Sequence, residues 1–587
     1  MTSPKLTLQG LPHDILVEIL NLTDDATLMA CESVSQCFHH AIESVPRLAY
    51  RVALKAAGMK ENAIPAGTIA SQRHAMLQKH ICTWPEPVVV DMSPLLPSEA
   101  FWEQDQATDA IFGDVLWERL PDGQHMFTKV LSHQKWGQKP SWTIQNSEWP
   151  RDRVVVDIAQ DLLVVPVMTR DYIPVGFTMT PVEKCWMQLQ SLQNGQVHPE
   201  AGAKIACNRH HLLPNGPIRV CGSHLLMCEH ARGFLVWNWR SGKYILDIDE
   251  VEDIDAIFLT EDLLLIAQTI PSHPTRTDSM YPEPSLVVRS ISRGINLIWL
   301  ECPLIYYREG ERITPMRFLR DTTPSHHEET SPFHSSAEDR VIGVSLGTML
   351  VPNQPSSSVQ PPETDDFWTA VRDAGYGSDI TDPYGVRCAL YIPMSTIWRM
   401  IHVAETQLPS HERVVPWTDW GPEGAHMVLS PDTAGILRLW GVIDYAAMST
   451  HATVTTCGTR ALEVLPPCNA AGLQYLRIYD FSKRARHSDD VSPESFATRG
   501  ESDSHDELAA KVFVEPQFAK TRYPVQTKLV PLPLLPEGAE YVWDTVSMLN
   551  EHTLFGRSIP FEVSFYTPLN RKLSRSEKKK RFALMAV

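Results

Sequence analysis

The chain has 587 residues, enough for several domains, and its 52 Lys and Arg against 70 Asp and Glu leave a formal net charge of −18. Such acidity opposes nonspecific binding to nucleic acid, which relies on cations that neutralise phosphates, so nucleic acid is not expected as a partner. No apolar leader opens MTSPKLTLQG and no run of 18 apolar residues occurs, so neither secretion nor a membrane partner is indicated, and an intracellular protein of the cytoplasm, the nucleus or both is expected.

The first predicted elements are helical. Leu11, Ile15, Leu16, Ile19 and Leu20 recur at helical spacing, with Pro12 where a first turn tolerates it and Asp14 where a carboxylate suits the helix dipole. A second pattern follows Asp24, a residue type suited to an N-cap, and carries Leu28, Cys31, Val34, Phe38, Ala41, Ile42 and Val45. A third runs from Pro46 to Gly58, which suits a C-terminal cap. Helices this short in a unit of about 40 residues bury too little apolar surface to stand alone, and a partner surface is one source of the missing stability. The segment reads as a docking module.

In their order these residues resemble an F-box. Leu11-Pro12, Asp14, the Ile15-Leu16 and Ile19-Leu20 pairs, Leu28, Val34, Cys37 and Phe38 fall where that motif has LPxE, IL, IL, L, V, C and a bulky aromatic. Tyr50 stands where the motif usually has Trp, and Cys31 where a larger aliphatic is common. The following LAYRVALKAAGM and the helix-like TIASQRHAMLQKHICTW are similar to an extension seen in F-box proteins of mushroom-forming fungi. The resemblance implies a substrate-receptor subunit of an SCF-type ubiquitin ligase. Leu11, Pro12, Ile15, Leu16, Ile19, Leu20, Leu28, Val34, Cys37 and Phe38 would bind the Skp adaptor, which links to cullin and RING subunits, while an unknown protein substrate binds elsewhere. Some of these side chains must instead hold the helices to one another. Such a subunit performs no bond chemistry, so no catalytic residue, cofactor or metal is expected. The competing readings are a scaffold that binds the adaptor without directing ubiquitin transfer, and a propeller enzyme with a helical appendage.

After about residue 85 the pattern changes to short apolar runs between Gly, Pro, Asn and Asp, a β signature with no room for crossover helices. The runs include VVVDI (154–158), DLLVVPV (161–167), HLLMC (224–228), FLVWNW (234–239), AIFLTEDLLLIA (256–267) and SLVVRSI (285–291). A loose repeat places turn glycines at Gly195, Gly242 and Gly294 after WMQLQSLQNGQ, VWNWRSGK and VVRSISRG, at intervals of 242 − 195 = 47 and 294 − 242 = 52 residues. Blade repeats of about 40–50 residues fit these intervals, and VWNWRSGK, LRLWGVID (437–444) and LRIYDFSKR (476–484) are similar to degenerate WD-repeat strand ends. The expected fold is therefore multidomain: a small all-α F-box and a large all-β domain, read as a β-propeller, with a pair of β-sandwiches as the alternative.

The expected division is 1–85 for the F-box and its extension, 86–570 for the β domain and 571–587 for a basic tail. Insertions at 320–367 and 484–512, rich in Ser, Pro, Asp and Glu, are expected to lack fixed structure, with one strand-like run, VIGVSLGTMLV, inside the first. They offer Ser331-Pro332 and Ser492-Pro493 as phosphorylation positions, or none if they are plain solvated loops. The tail's RKLSRSEKKKRF reads as a solvated basic terminus, with a nuclear signal as the second reading.

Few residues suggest chemistry. Gly343-Val344-Ser345-Leu346-Gly347 fits a hydrolase elbow, but no helix can follow before Pro352, so an ordinary turn is expected. Cys207 and His210, with Cys228 and His230 nearby, form one loose pair rather than a zinc set. Eleven cysteines, an odd number without any C-x-x-C, fit buried thiols. Asp365-Asp366, Asp489-Asp490 and the Asp247/Asp249 pair read as solvated surface. Trp417, Trp420 and Pro422 read as buried aromatic packing ahead of a recognition surface.

Overall fold

The computed structural model describes residues 8, 11–62, 64, 67–82, 88–91, 111–112, 115–119, 124–129, 141–145, 154–175, 178–202, 205–207, 217–229, 233–249, 254–270, 283–303, 311–321, 332–350, 385–407, 413–431, 454–464, 475–482, 521, 525–531, 541–550, 553–560 and 581–586. Helices come first and a large region of many sheets follows. Helices α1 (His13–Leu22), α2 (Asp25–Val34), α3 (Gln36–Ser44) and α4 (Pro46–Ala56) occupy the segment read as three helical patterns. The second pattern is two helices because Ser35, at φ −157° and ψ 152°, leaves helical space and accepts a 3.3 Å hydrogen bond from the Phe38 N–H, ending α2 and capping α3. Asp24 caps α2, accepting from the N–H and hydroxyl of Thr27 at 2.8 and 2.9 Å. Leu16, Leu20, Leu28, Ala41, Ile42, Leu48 and Val52 close into one small core. Arg51 of α4 clamps its rim, donating to Asp25 Oδ1 at 2.7 Å and to the Thr23 carbonyl at 2.6 Å. Helix α5 (Ala70–Cys82) packs beside α4, its Leu77 buried with Tyr50, Ala57 and Met59.

Among the described residues, seven sheets of four or five strands follow the helical module. The first lies within 111–145, the second within 155–207, the third within 218–249 and four strands of the fourth within 254–301; in each of these ranges, strands adjacent in sequence pair antiparallel. The fifth lies within 311–431, and the sixth joins 454–531 to Arg320–Asp321, which pairs parallel with its first strand. The seventh combines Tyr541–Asn550, Thr553–Pro560 and Arg581–Ala586 with Val88–Asp91, a strand made just after the helices.

The unbroken apolar runs have a direct cause. Side chains alternate between the two faces of a strand, and here both faces are covered. Leu225, Met227, Leu235 and Trp237 of the third sheet pack against Leu162, Val164, Met187 and Leu189 of the second. Their strand neighbours Leu226, Cys228, Phe234 and Val236 pack against Ala256, Phe258, Leu264 and Ile266 of the fourth. The same division recurs between the first and second sheets, the fourth and fifth, and the fifth and sixth, so the first six sheets lie face to face in succession.

The repeat glycines occupy equivalent turns. Gly195, Gly242 and Gly294 follow the third strands of the second, third and fourth sheets at φ of 70°, 69° and 66°, a region open to glycine at little cost. Each N–H closes its turn on a carbonyl four residues back, at Ser191, Asn238 and Ser290. Asp161 holds the first turn by accepting from the Ser191 hydroxyl and the Gln193 N–H, and Asp262 does the same for the third through Ser290 and Ser292. At this end the sheets are also tied turn to turn. Gln160 donates to the Gly222 carbonyl at 2.9 Å, Glu261 accepts from the Ser223 N–H at 2.7 Å, Arg340 donates to the Phe258 carbonyl at 2.6 Å, and the Val341 N–H donates to the Gly458 carbonyl at 2.8 Å.

Two helices, α6 (Met394–Gln407) and α7 (Trp417–Gly424), separate the last two strands of the fifth sheet. Between them Val414–Val415 pairs parallel with Ile295–Glu301, covering the edge of the fourth sheet.

Two expectations change. Residues 332–340, read as part of an unstructured insertion, include the strand Phe333–Ser335 and a turn to Arg340; residues 322–331 and 351–367 lie outside the described residues, as do Ser331, 484–512 and Ser492. In the tail read as solvated, Arg581–Ala586 is a strand that pairs on both sides, with Thr553–Pro560 and Val88–Asp91; it falls on the apolar FALMA that follows the basic run in sequence. The rest of the basic run, residues 571–580, lies outside the described residues, as does 437–444.

Candidate docking site

Helix α1 is apolar on two sides. One stripe, Leu16 and Leu20, is 2% and 1% exposed in the core. The other, Ile15, Ile19 and Leu22, is 49%, 36% and 87% exposed. The spacing of four and three residues puts the second stripe on one helical face. At the junction of α2 and α3, Val34 is 70% exposed and Cys37 is exposed too, while Phe38 is half-buried against the core. Pro12 is exposed and Leu11 half-buried at the start of α1, where His13 Nε2 meets the Ser44 hydroxyl at 3.3 Å, so α1 begins where α3 ends.

The structure therefore sorts the ten sequence candidates. Leu16, Leu20 and Leu28 have their surface committed to Ala41, Ile42, Leu48 and Val52 and hold the helices together. Pro12, Ile15, Ile19, Val34 and Cys37 present apolar surface outward, with Leu11 and Phe38 half-buried. Leu22 was missed, although it continues the outward stripe one turn beyond Ile19; Leu8, 52% exposed, lies ahead of the motif. Residues 11–45 contain six carboxylates and no Lys or Arg, so the outward stripe is set in an acidic surround that includes the exposed Asp14 and Glu18.

The module is seated on the sheets by residues far away in sequence. Met59–Glu61 pairs antiparallel with Phe333–Ser335, Met59 opposite Ser335 and Glu61 opposite Phe333. The ladder is prolonged at both ends, where the Asn62 N–H donates to the Pro332 carbonyl at 3.0 Å and the Ser336 N–H to the Gly58 carbonyl at 2.8 Å. Phe333, 1% exposed, fills the space between Tyr50, Ala57, Met59 and Leu77, completing the core under α4 and α5. Burial, with Glu61 beside it, pushes the Tyr50 phenol far above its ordinary pKa. Lys55 and Asp339 form a 2.8 Å ion pair, mostly shielded from solvent. Gly58, at φ 67°, lets the backbone pass so close to Thr459 that a side chain would collide there.

No protein-family model matches the chain. No curated protein is significantly similar to it in sequence.

The other candidates acquire structural roles. Ser345 lies mid-strand in Val341–Leu350, not in a turn, and its hydroxyl donates to the Arg317 carbonyl at 3.3 Å. Cys228 is fully buried between Arg219 and the Ala256 carbonyl, and burial pushes its thiol up to about 12; His210 and His230 lie outside the described residues. Among the described residues no three His, Cys, Asp or Glu side chains converge as metal ligands. Trp417 and Trp420 are buried edge to face with ring centroids 4.9 Å apart, and Trp420 donates to the Glu301 carbonyl. Pro422 is half-buried, Asp247 is exposed on a sheet edge, and Asp365-Asp366 and Asp489-Asp490 lie outside the described residues. No helix among the described residues is long and apolar enough to cross a membrane.

Proposed function

We propose that this chain is a substrate-receptor subunit of an SCF-type ubiquitin ligase, docking on a Skp adaptor through α1–α3 and holding a protein target on its sheet region. The observation that carries the reading is the second apolar stripe of α1. A helix that has already buried Leu16 and Leu20 gains nothing in isolation from exposing Ile15, Ile19 and Leu22 to water. An adaptor groove would cover that stripe, in the helix-in-groove mode, on the segment whose residues resemble an F-box. The sheet region is read as a seven-bladed β-propeller in which Val88–Asp91, paired with Arg581–Ala586, closes the ring. Support comes from the succession of face-to-face units of four or five strands and from the equivalent glycine turns at 195, 242 and 294. In this reading the chain contributes proximity: a target lysine held near the charged conjugating enzyme reacts at a high effective concentration.

The test is co-purification of the native Skp adaptor and cullin with the tagged full-length chain and with an Ile15→Asp, Ile19→Asp variant. These positions are exposed, so the variant keeps its fold. Recovery of both partners by the wild type alone supports the proposal. Recovery of neither by the wild type overturns it.

A further inference from the structure

Residues 332–341 touch two bodies at once. On one side they extend the strand Met59–Glu61, bury Phe333 under α4 and α5, and pair Asp339 with Lys55. On the other, Arg340 donates to the Phe258 carbonyl of the fourth sheet and its own carbonyl accepts from the Met394 N–H at the start of α6, while the Val341 N–H reaches the Gly458 carbonyl of the sixth sheet. A helical module joined to the sheets only by the covalent chain near residues 83–87 would be free to swing, as domains joined by small polar contacts do. Here a second connection, distant in sequence, crosses the junction with a paired strand, a buried aromatic and a shielded ion pair.

We propose that 332–341 is a latch that fixes the helical module on the sheet region, with Phe333, Lys55 and Asp339 as positioning residues. They lie outside the outward stripe of α1 and set the angle and distance between that stripe and the sheets. The functional consequence rests on the ligase reading: an adaptor bound on α1–α3 and a target bound on the sheets would sit at one fixed separation, and loosening the latch would lower transfer without lowering adaptor affinity. The latch itself does not depend on that reading.

Nitroxide labels introduced through an unnatural amino acid at the exposed Glu18 and Arg293, in the full-length chain, report the separation by pulsed electron resonance. The wild type should give one narrow distance. Phe333→Ala and, separately, Lys55→Glu should add a broad, longer population; Phe333→Leu should retain the narrow one, and adding Asp339→Lys to Lys55→Glu should restore it. That charge-swap rescue distinguishes positioning from general destabilisation, and it decides the matter if Phe333→Ala fails to fold. Adaptor affinity, measured in parallel on the unlabelled chains, should be unchanged in every folded variant. A broad distribution in the wild type, or a narrow one unmoved by Lys55→Glu, would overturn the latch. Absence of adaptor binding by the wild type would instead count against the ligase reading, leaving the distance result to stand.

Discussion

Ile15 and Leu16 are adjacent in sequence and opposite in environment, and substitutions at the two positions should separate docking from folding. Leu16→Ala or Leu28→Ala removes a side chain that the small core cannot replace and should cost about 2–5 kcal/mol, read as a lower unfolding temperature of the helical module. Ile15→Asp with Ile19→Asp should change that temperature little and abolish adaptor capture. Ile15, Leu16, Ile19 and Leu20 were legible as apolar residues at helical spacing but read as a single face, without Leu22; the split into an inward and an outward stripe was not legible, because it depends on where α3 and α4 lie. A buried pair sets a second expectation. Burial pulls the Asp255 carboxyl upward in pKa, but Arg219 at 2.9 Å, Arg317 and the Phe318 N–H outweigh it and hold the group below its ordinary value. The stability this contributes is complete above the unfolded value of about 3.9 and is lost as pH falls through the lower folded one. Arg219→Met, which strands the carboxylate, should cost about 3–5 kcal/mol at neutral pH. The difference in unfolding temperature between wild type and Asp255→Asn should be large at pH 7 and shrink on acidification below about pH 4.

At the scale of elements, the turn glycines give a graded series. A side chain at Gly294 meets no atom within 4 Å, so Gly294→Ala carries only the backbone strain of φ 66°, about 1 kcal/mol. At Gly195 the added carbon would also collide with Ile144 of the first sheet, so Gly195→Ala should lower the unfolding temperature further. These turns could be read from sequence because each needs a positive φ that glycine adopts at little cost, so the residue type marks the turn. The break between α2 and α3 could not be read from periodicity, since Leu28, Cys31, Val34, Phe38, Ala41 and Ile42 keep helical spacing straight across Ser35. Ser35 as a capping residue type was the available signal. Phe333 was hidden for another reason: it stands alone in a polar run, and the residues that bury it lie more than 250 positions earlier.

For the whole molecule, runs such as Leu162–Val165 were legible as strands, but their coverage on both faces was not, because an apolar run without alternation suits a buried helix segment as well as a strand buried on both sides. Nor was the composition of the seventh sheet, because Val88–Asp91 and Arg581–Ala586 carry no mark of each other in sequence. Removing 581–586 should leave Thr553–Pro560 and Val88–Asp91 each short of a partner, and amide exchange in both strands should accelerate while the fourth sheet stays protected. The same pairing has a temporal side. During synthesis some 490 residues (581 − 91) separate the two partners, and at about 5–20 residues per second the earlier strand waits roughly 25–100 s for the later one. Through that interval Val88, Val89 and Val90 are without the neighbour that Arg581–Ala586 later supplies, so newly made chains should engage chaperones in a window that ends only when Arg581–Ala586 clears the ribosome.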